Sequence, residues 1–223
     1  IILDTTSSDM TTASNLYDHI CKHINQFIEE NNFAAVFTIS AGILPLPDLS
    51  QTGYAELIKR TDFSLTMAKQ HGRNCCYIFQ EEEYQNFLRI REITNELHSA
   101  VNHSFRGFSI IFQPVMDIRQ DKLTGAEVLI RFASKKFGPI SPAEFIPLLE
   151  TSGLIIPTGR WLMREAITAC RKIRTQLPDF KININVSQVQ ITNSDVITDL
   201  INEMNASSLP HTAIVIELTE SIL

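Results

Sequence analysis

One strand-like segment, residues 125–131 (GAEVLIR), sets two charged side chains into an apolar sequence, and this pattern constrains the fold most strongly. Side chains alternate along a strand, so Glu127, Leu129 and Arg131 share one face. Burying an unpaired carboxylate costs several kcal/mol, so Glu127 needs a cation, a metal or a hydrogen-bond donor beside it. Arg131 is one candidate partner. The segment alone leaves a structural ion pair and a functional site equally open.

The composition describes an acidic chain that is able to bury a core. Its 223 residues are 44% hydrophobic and 20% charged, which allows one large or two modest domains. The net charge of −6 argues against a non-specific nucleic-acid surface, so we expect no nucleic-acid partner. The cysteines, including adjacent Cys75 and Cys76, lack the spacing of a metal site or a disulfide framework, which favours a reducing cytosol. No apolar run approaches the roughly 20 residues of a membrane span.

The first 80 residues predict a small α/β domain. Apolar residues recur at helical spacing over residues 13–30 and 54–70, while residues 33–42 and 75–79 have the composition of short strands. We also expect a strand end at residues 1–3, a polar turn at 5–12 and a proline-rich loop at 44–50. The abrupt start, with no visible signal peptide, indicates a piece of a longer protein.

A long helical pattern covers residues 81–102, with one apolar stripe and charged residues on its other faces. We expect a connector helix, with the domain boundary near residues 82–91. The stripe is also compatible with a dimer contact or with a relay of motion between domains.

The rest of the chain alternates strands with helices. The strands are predicted at residues 108–115, 125–132, 181–187 and 213–217, and the longer helices at 156–177 and 194–207. A short helix is expected to begin at Ser141 as N-cap, with Pro142 in the first turn and Glu144 at the third position. Alternation of this kind predicts βαβ units and a parallel sheet.

The polar side chains of these predicted strands include Glu127, Asn185 and Glu217. Barrel enzymes keep their sites at the C-terminal ends of parallel strands. Carboxylate and amide oxygens are hard ligands suited to Mg²⁺ or Mn²⁺. Arg131 is then free to bind a phosphate. A metal ion beside a phosphate-binding arginine is an arrangement suited to phosphodiester hydrolysis. Ordinary loop chemistry also places polar residues at strand ends, so the pattern alone leaves both interpretations open.

Three segments of the first 80 residues resemble the C-terminal half of a GGDEF domain, the family that makes cyclic di-GMP from GTP. They are residues 37–42 (FTISAG), 61–69 (TDFSLTMAK) and 72–74 (GRN). The resemblance implies that Lys69 and Arg73 reach nucleotide phosphates. Alternatively, these cations only complement the C-terminal end of a helix. The signature Gly-Gly-Asp/Glu-Glu-Phe stretch is absent from the chain, so we expect no cyclase activity from this piece.

Six later segments, in order, resemble the motifs of an EAL domain, a barrel phosphodiesterase that linearises cyclic di-GMP to pGpG with Mg²⁺ or Mn²⁺. They are residues 112–115, 125–131, 140–147, 150–155, 185–187 and 217–221. The resemblance implies that Glu127, Asn185 and Glu217 are metal ligands and that Glu127 is catalytic. It also implies a dinucleotide pocket lined by Gln113, Leu129, Arg131 and Glu150.

Together these resemblances predict an α/β chain with three parts. Residues 1–80 would be the C-terminal part of a small GGDEF-like domain, 81–105 a connector helix, and 106–223 the N-terminal half of an EAL-type, TIM-like (β/α) barrel. The family's barrel has eight strands and this chain reaches the fourth, so we expect the piece alone to be inactive.

The intact parent is expected to be a bacterial, cytoplasmic cyclic di-GMP phosphodiesterase that forms a homodimer. A sensory domain, or one that tethers the protein to the inner membrane, is left open. Two alternatives remain: a non-catalytic cyclic di-GMP receptor with degenerate domains, and a protein-interaction scaffold that binds no nucleotide.

Overall fold

The computed structural model describes residues 10–34, 37–45 and 53–219, and the chain divides into two compact units, Ile1–Arg89 and Ile90–Leu223. The strand end predicted at residues 1–3 lies outside the described residues, as do residues 5–9 of the predicted turn and most of the predicted proline-rich loop. Among the described residues, each helix is too short or too polar to span a lipid bilayer.

The described residues of the first unit form two helices, the start of a third, and a two-stranded parallel sheet. The elements are α1 (Met10–Glu30), β1 (Ala41–Ile43), α2 (Tyr54–Gln70), β2 (Cys76–Ile78) and the start of α3 (Glu81–Asn102). The helix predicted from residue 13 begins earlier, so residues 10–12 are helical and not part of a turn. Residues 35–36 of the strand predicted over 33–42 lie outside the described residues, and the described remainder is wrong in extent: β2 offers only three register partners, so β1 is three residues long.

An aromatic cluster forms the core of the first unit. Phe63 of α2 is 4% exposed, and its ring centroid lies 5.2 Å from those of Tyr84 and Phe87 at the start of α3. Phe79 packs 6.1 Å away, edge to face. The guanidinium of Arg60 covers this cluster, 5.3 Å from the Phe79 ring centre. The cluster holds α2 against the start of α3.

The described residues of the second unit form the rest of α3, a five-stranded sheet and four further α-helices. The strands are β3 (Phe108–Asp117), β4 (Lys122–Ser134), β5 (Gly138–Ile140), β6 (Lys181–Ser187) and β7 (Ile214–Thr219). The helices are α4 (Pro142–Thr151), α5 (Ile155–Arg174), α6 (Gln188–Asn193) and α7 (Val196–Ala206). The strands run in the order β3-β4-β6-β7, and β5 pairs with β4.

The sheet is parallel only in part. Strands β4, β6 and β7 run parallel, as predicted, whereas β3 and β4 pair in antiparallel fashion. The segment between β3 and β4 is four residues long (118–121), and a parallel crossover needs about a dozen residues or more, so only a hairpin fits.

Three short elements of the described chain were not predicted: β5, α6 and a 3₁₀ helix at His211–Ala213. Strand β5 extends the hairpin by pairing with the end of β4, and α6 follows β6 directly. Before α4, Ser141 is extended and Pro142 begins the helix as predicted, but the Ser141 hydroxyl makes no capping hydrogen bond.

Alternation divides the parallel strands into two faces. Even-numbered residues pack into the core against α5 and α7: Ala126, Val128, Ile182, Ile184, Val186 and Ile214. The second half of α3 packs into a neighbouring cluster, where Ile93 and Leu97 are fully buried with Phe145. Apolar burial on one side therefore fixes which side chains occupy the other face of the sheet.

Candidate functional site

The odd-numbered face of β4, β6 and β7 carries a group of polar side chains, which we call the polar face: Glu127, Asn183, Asn185 and Glu217. Strand register brings them together, because Glu127 lies opposite Asn183, and Asn185 lies opposite Glu217. All four are half-buried. The core on the opposite side of the sheet pins the register, since a slip of one residue would turn apolar side chains outward.

Two hydrogen bonds cross the register diagonally. Asn185 Nδ2 donates to Glu127 Oε1 over 2.6 Å, and Asn183 Nδ2 donates to Glu217 Oε1 over 2.5 Å. Each carboxylate thus binds the asparagine two residues away from the one opposite it. Both carboxylates lean toward the central strand β6, and each has a charge-assisted hydrogen bond.

Glu127 and Arg131 do not form the ion pair that the sequence left open. No salt bridge joins them in the described part of the chain: Glu127 accepts from Asn185, and Arg131 Nη1 donates to the Ile130 carbonyl over 2.8 Å. Both side chains project from the same face of β4. Arg131 therefore remains a cation near the polar face without neutralising Glu127.

The other predicted pocket residues divide by position. Gln113 of β3 lies opposite Glu127 in the antiparallel register, and Ile111 lies opposite Leu129, so Gln113 and Leu129 share the sheet face with Glu127. Glu150 lies in the last turn of α4 and is half-buried. No described side-chain hydrogen bond joins Glu150 to the polar face.

A glycine allows β4 and β6 to approach closely beside the polar face. A Cβ on Gly125 would lie 2.6 Å from the Lys181 carbonyl oxygen, which is closer than real Cβ contacts occur. Gly125 and Lys181 begin the register that places Glu127 opposite Asn183. The glycine is therefore part of the geometry that brings Glu127 within reach of Asn185.

The polar face offers oxygen ligands to a cation. The two hydrogen bonds use Oε1 of each glutamate and Nδ2 of each asparagine. The two Oε2 atoms and Asn185 Oδ1 take no part in these two bonds. Carboxylate and amide oxygens suit hard divalent cations. In the described part of the chain, no group of three or more His, Cys, Asp or Glu side chains could hold a metal. The candidate set here is instead two glutamates and an asparagine.

Asn183 is a polar-face residue that was not predicted as part of the site. Its signal is the strict alternation of residues 181–187 (KININVS), which puts Asn183 on the same face as Asn185. Its partner Glu217 lies 34 residues away, and only strand order shows that the two meet.

The cations predicted at the first unit's nucleotide site are exposed. Lys69 lies in the last turn of α2, and Arg73 follows the helix with a positive φ of 60°. Lys69 therefore complements the C-terminal dipole of α2, whatever else it binds.

Comparisons with known proteins connect the polar face to a family. Residues 94–223 match the EAL domain family. The bifunctional diguanylate cyclase/cyclic di-GMP phosphodiesterase MucR of Pseudomonas aeruginosa is 28% identical over 213 residues, which cover 94% of this chain and 30% of MucR. The cyclic di-GMP phosphodiesterase PdeR of Escherichia coli is 28% identical over 184 residues, covering 82% of this chain and 27% of PdeR. The chain thus spans less than a third of either relative.

A solved structure shares the fold. The EAL enzyme Bd1971, in its cAMP- and cyclic-di-GMP-bound form, aligns with a TM-score of 0.56 at 27% identity. The alignment covers 77% of this chain and 45% of that chain. The strands and helices of the second unit therefore have the arrangement of part of an EAL-type, TIM-like barrel.

Proposed function

Since the chain belongs to the EAL domain family, we propose that the protein containing it hydrolyses cyclic di-GMP to linear pGpG with a divalent cation. The observation that carries this proposal is the pair of glutamates on β4 and β7 that lean toward Asn183 and Asn185 of the strand between them. Relatives named as cyclic di-GMP phosphodiesterases, and a related structure with cyclic di-GMP bound, support the substrate.

The residues on the polar face fit Mg²⁺ or Mn²⁺. Glu127, Asn185 and Glu217 supply oxygen atoms from three adjacent parallel strands, spaced about 4.8 Å apart. Neither Cys nor His belongs to the set, which disfavours zinc. A cation held there would supply Lewis-acid polarisation of the phosphodiester.

The chain's own residues have separate tasks in this proposal. Arg131 extends from the face of β4 that bears Glu127, and its guanidinium matches a phosphate's geometry. Gln113 and Leu129 flank the same face from β3 and β4, where they would contact the dinucleotide. Glu150 would support the pocket from α4. The apolar core beneath the sheet holds these groups in register.

We also propose that the first unit is the C-terminal part of a GGDEF-like domain. Under this proposal the parts are residues 1–80, the connector helix at 81–105 and the phosphodiesterase half at 106–223. Similarity to MucR over 94% of the chain supports it, because MucR is named a bifunctional cyclase and phosphodiesterase. Relatives from bacteria support a bacterial signalling protein.

The test is turnover by the full-length protein. Incubation with cyclic di-GMP and Mg²⁺ or Mn²⁺ should yield pGpG, which is detected by chromatography. A chelator of divalent cations should prevent pGpG from forming. Binding is measured in parallel with Ca²⁺ in place of Mg²⁺. Tight binding without product under every metal condition would instead identify a receptor.

A further inference from the structure

We propose that Asn183 is a positioning residue that holds the Glu217 carboxylate in the orientation needed for metal binding, an inference that rests on the proposed function above. Asn183 Nδ2 donates to Glu217 Oε1 over 2.5 Å, from the neighbouring strand. The bond leaves Glu217 Oε2 as the oxygen available to a cation. Asn183 therefore acts through Glu217.

Register shows why Glu217 needs such a partner. Glu217 lies opposite Asn185, yet its carboxylate reaches back along β6 to Asn183, two residues or about 6.6 Å toward the start of the strand. The residue opposite Asn183 on β7 is Val215, whose apolar side chain offers no hydrogen bond to the asparagine. The amide of Asn183 is thus available for the diagonal bond.

In this pair of diagonal hydrogen bonds, the two asparagines have different roles. Asn185 binds Glu127 and presents Oδ1 to the cation, whereas Asn183 orders Glu217. Without Asn183, the Glu217 carboxylate would be free to rotate about its side-chain torsions, and cation binding would have to order it. Hydrogen-bond partners of metal ligands typically change metal affinity by about 10- to 100-fold when they are removed.

The experiment measures Mn²⁺ binding to the full-length protein by electron paramagnetic resonance of free Mn²⁺. Asn183→Leu keeps a similar volume and removes the donor, and we expect Mn²⁺ affinity to fall at least 10-fold. Asn183→Gln retains the amide and should restore part of the affinity. Asn202→Leu, an exposed asparagine on α7, is the matched control and should bind Mn²⁺ like the unaltered protein.

Two further readouts separate positioning from a role in folding. In metal-free buffer, Asn183→Leu should change Tm by no more than about 2 °C, while the rise in Tm produced by Mn²⁺ becomes smaller. Raised Mn²⁺ should also recover the turnover lost in the variant. If Asn183→Leu unfolds, Asn183→Ser carries the same test, because its hydroxyl is too short to reach Glu217.

The outcomes are distinct. Unchanged Mn²⁺ affinity in a folded Asn183→Leu or Asn183→Ser protein would overturn the positioning role and leave the proposed function standing. Failure of the unaltered protein to bind Mn²⁺ would overturn the proposed metal site, and the role of Asn183 with it.

Discussion

Asn185 donates a hydrogen bond to Glu127 across neighbouring strands, although the residue opposite Glu127 in the register is Asn183. This diagonal bond satisfies a half-buried carboxylate without a cation from the protein. The carboxylate therefore keeps its negative charge available for a ligand, whereas an ion pair with Arg131 would have neutralised it. The same logic applies to Glu217, whose partner is also a neutral amide.

The close approach of β4 and β6 leads to the first prediction. Gly125→Ala would put a Cβ 2.6 Å from the Lys181 carbonyl oxygen, so the strands must separate. We expect a loss of about 1–3 kcal/mol of unfolding free energy by denaturant titration, together with reduced turnover. Gly53→Ala, where an added Cβ meets no atom within 4 Å, is the control for the steric effect: it should leave turnover unchanged and, because Gly53 is the N-cap of α2, lower the unfolding free energy by only about 0.5 kcal/mol. Equal stability of the two variants would contradict the packing described here.

The aromatic cluster of the first unit leads to the second prediction. Phe63 is 4% exposed and contacts four aromatic rings, so Phe63→Ala should destabilise this unit by about 3–5 kcal/mol. Phe37→Ala removes a ring that is 61% exposed and should stay within about 0.5 kcal/mol of the unaltered protein. Titration with guanidinium chloride, monitored by circular dichroism, measures the unfolding free energy of both variants. A Phe63 variant as stable as the Phe37 variant would show that the cluster is not a core.

The half-buried phenol of Tyr77 leads to the third prediction, which concerns alkaline pH. Burial, and then the hydrogen bond to Glu83, raise the pKa of Tyr77 from 10.0 to about 12. Below pH 10 the folded and unfolded chains both keep this proton, so stability is unaffected. Between about pH 10 and 12 only the unfolded chain loses it, so stability falls as pH rises.

Ultraviolet titration of tyrosinate tests this assignment. The pKa of Tyr17 is also raised to about 12, chiefly by burial, so Tyr17 and Tyr77 should both titrate in that range. Tyr77→Phe should remove one of them and lessen the alkaline loss of stability. An unchanged amplitude near pH 12 in this variant would refute the assignment.

The proposed phosphate contact leads to the fourth prediction. Arg131→Met keeps the length and apolar character of the side chain but removes the charge. We expect weaker cyclic di-GMP binding, by about 10-fold or more, because a hydrogen bond to a charged group contributes roughly 1.5–3 kcal/mol. Mn²⁺ affinity should change much less. Calorimetry with Ca²⁺ present measures nucleotide binding. Loss of Mn²⁺ binding with nucleotide binding intact would contradict the assigned role.

The sequence correctly predicted the helices and strands whose apolar residues recur at a regular spacing. Residues 181–187, 54–70 and 81–102 form the predicted strand and helices with the predicted bounds. Their apolar residues are spaced for one type of structure only. The strand expected over 33–42 is wrong in extent, since of its described residues only 41–42 lie in β1, which pairs with the three residues of β2.

The local sequence pattern could not predict which distant segments pair with each other. Alternation placed Glu127, Asn185 and Glu217 in strands, but the antiparallel β3–β4 hairpin and the diagonal hydrogen bonds depend on strand order. Asn183 was visible as a neighbour of Asn185 on one face. Its bond to Glu217 follows only once β7 is known to lie beside β6.

The most direct measurement compares hydrolysis of cyclic di-GMP by the full-length protein and its Glu127→Gln variant, in Mn²⁺, by chromatography of pGpG. The glutamine is isosteric and still accepts the Asn185 hydrogen bond, so it removes only the charge offered to the cation. Our prediction is metal-dependent product from the unaltered protein and a rate lower by at least 100-fold in the variant. A variant that hydrolyses as fast as the unaltered protein would contradict it.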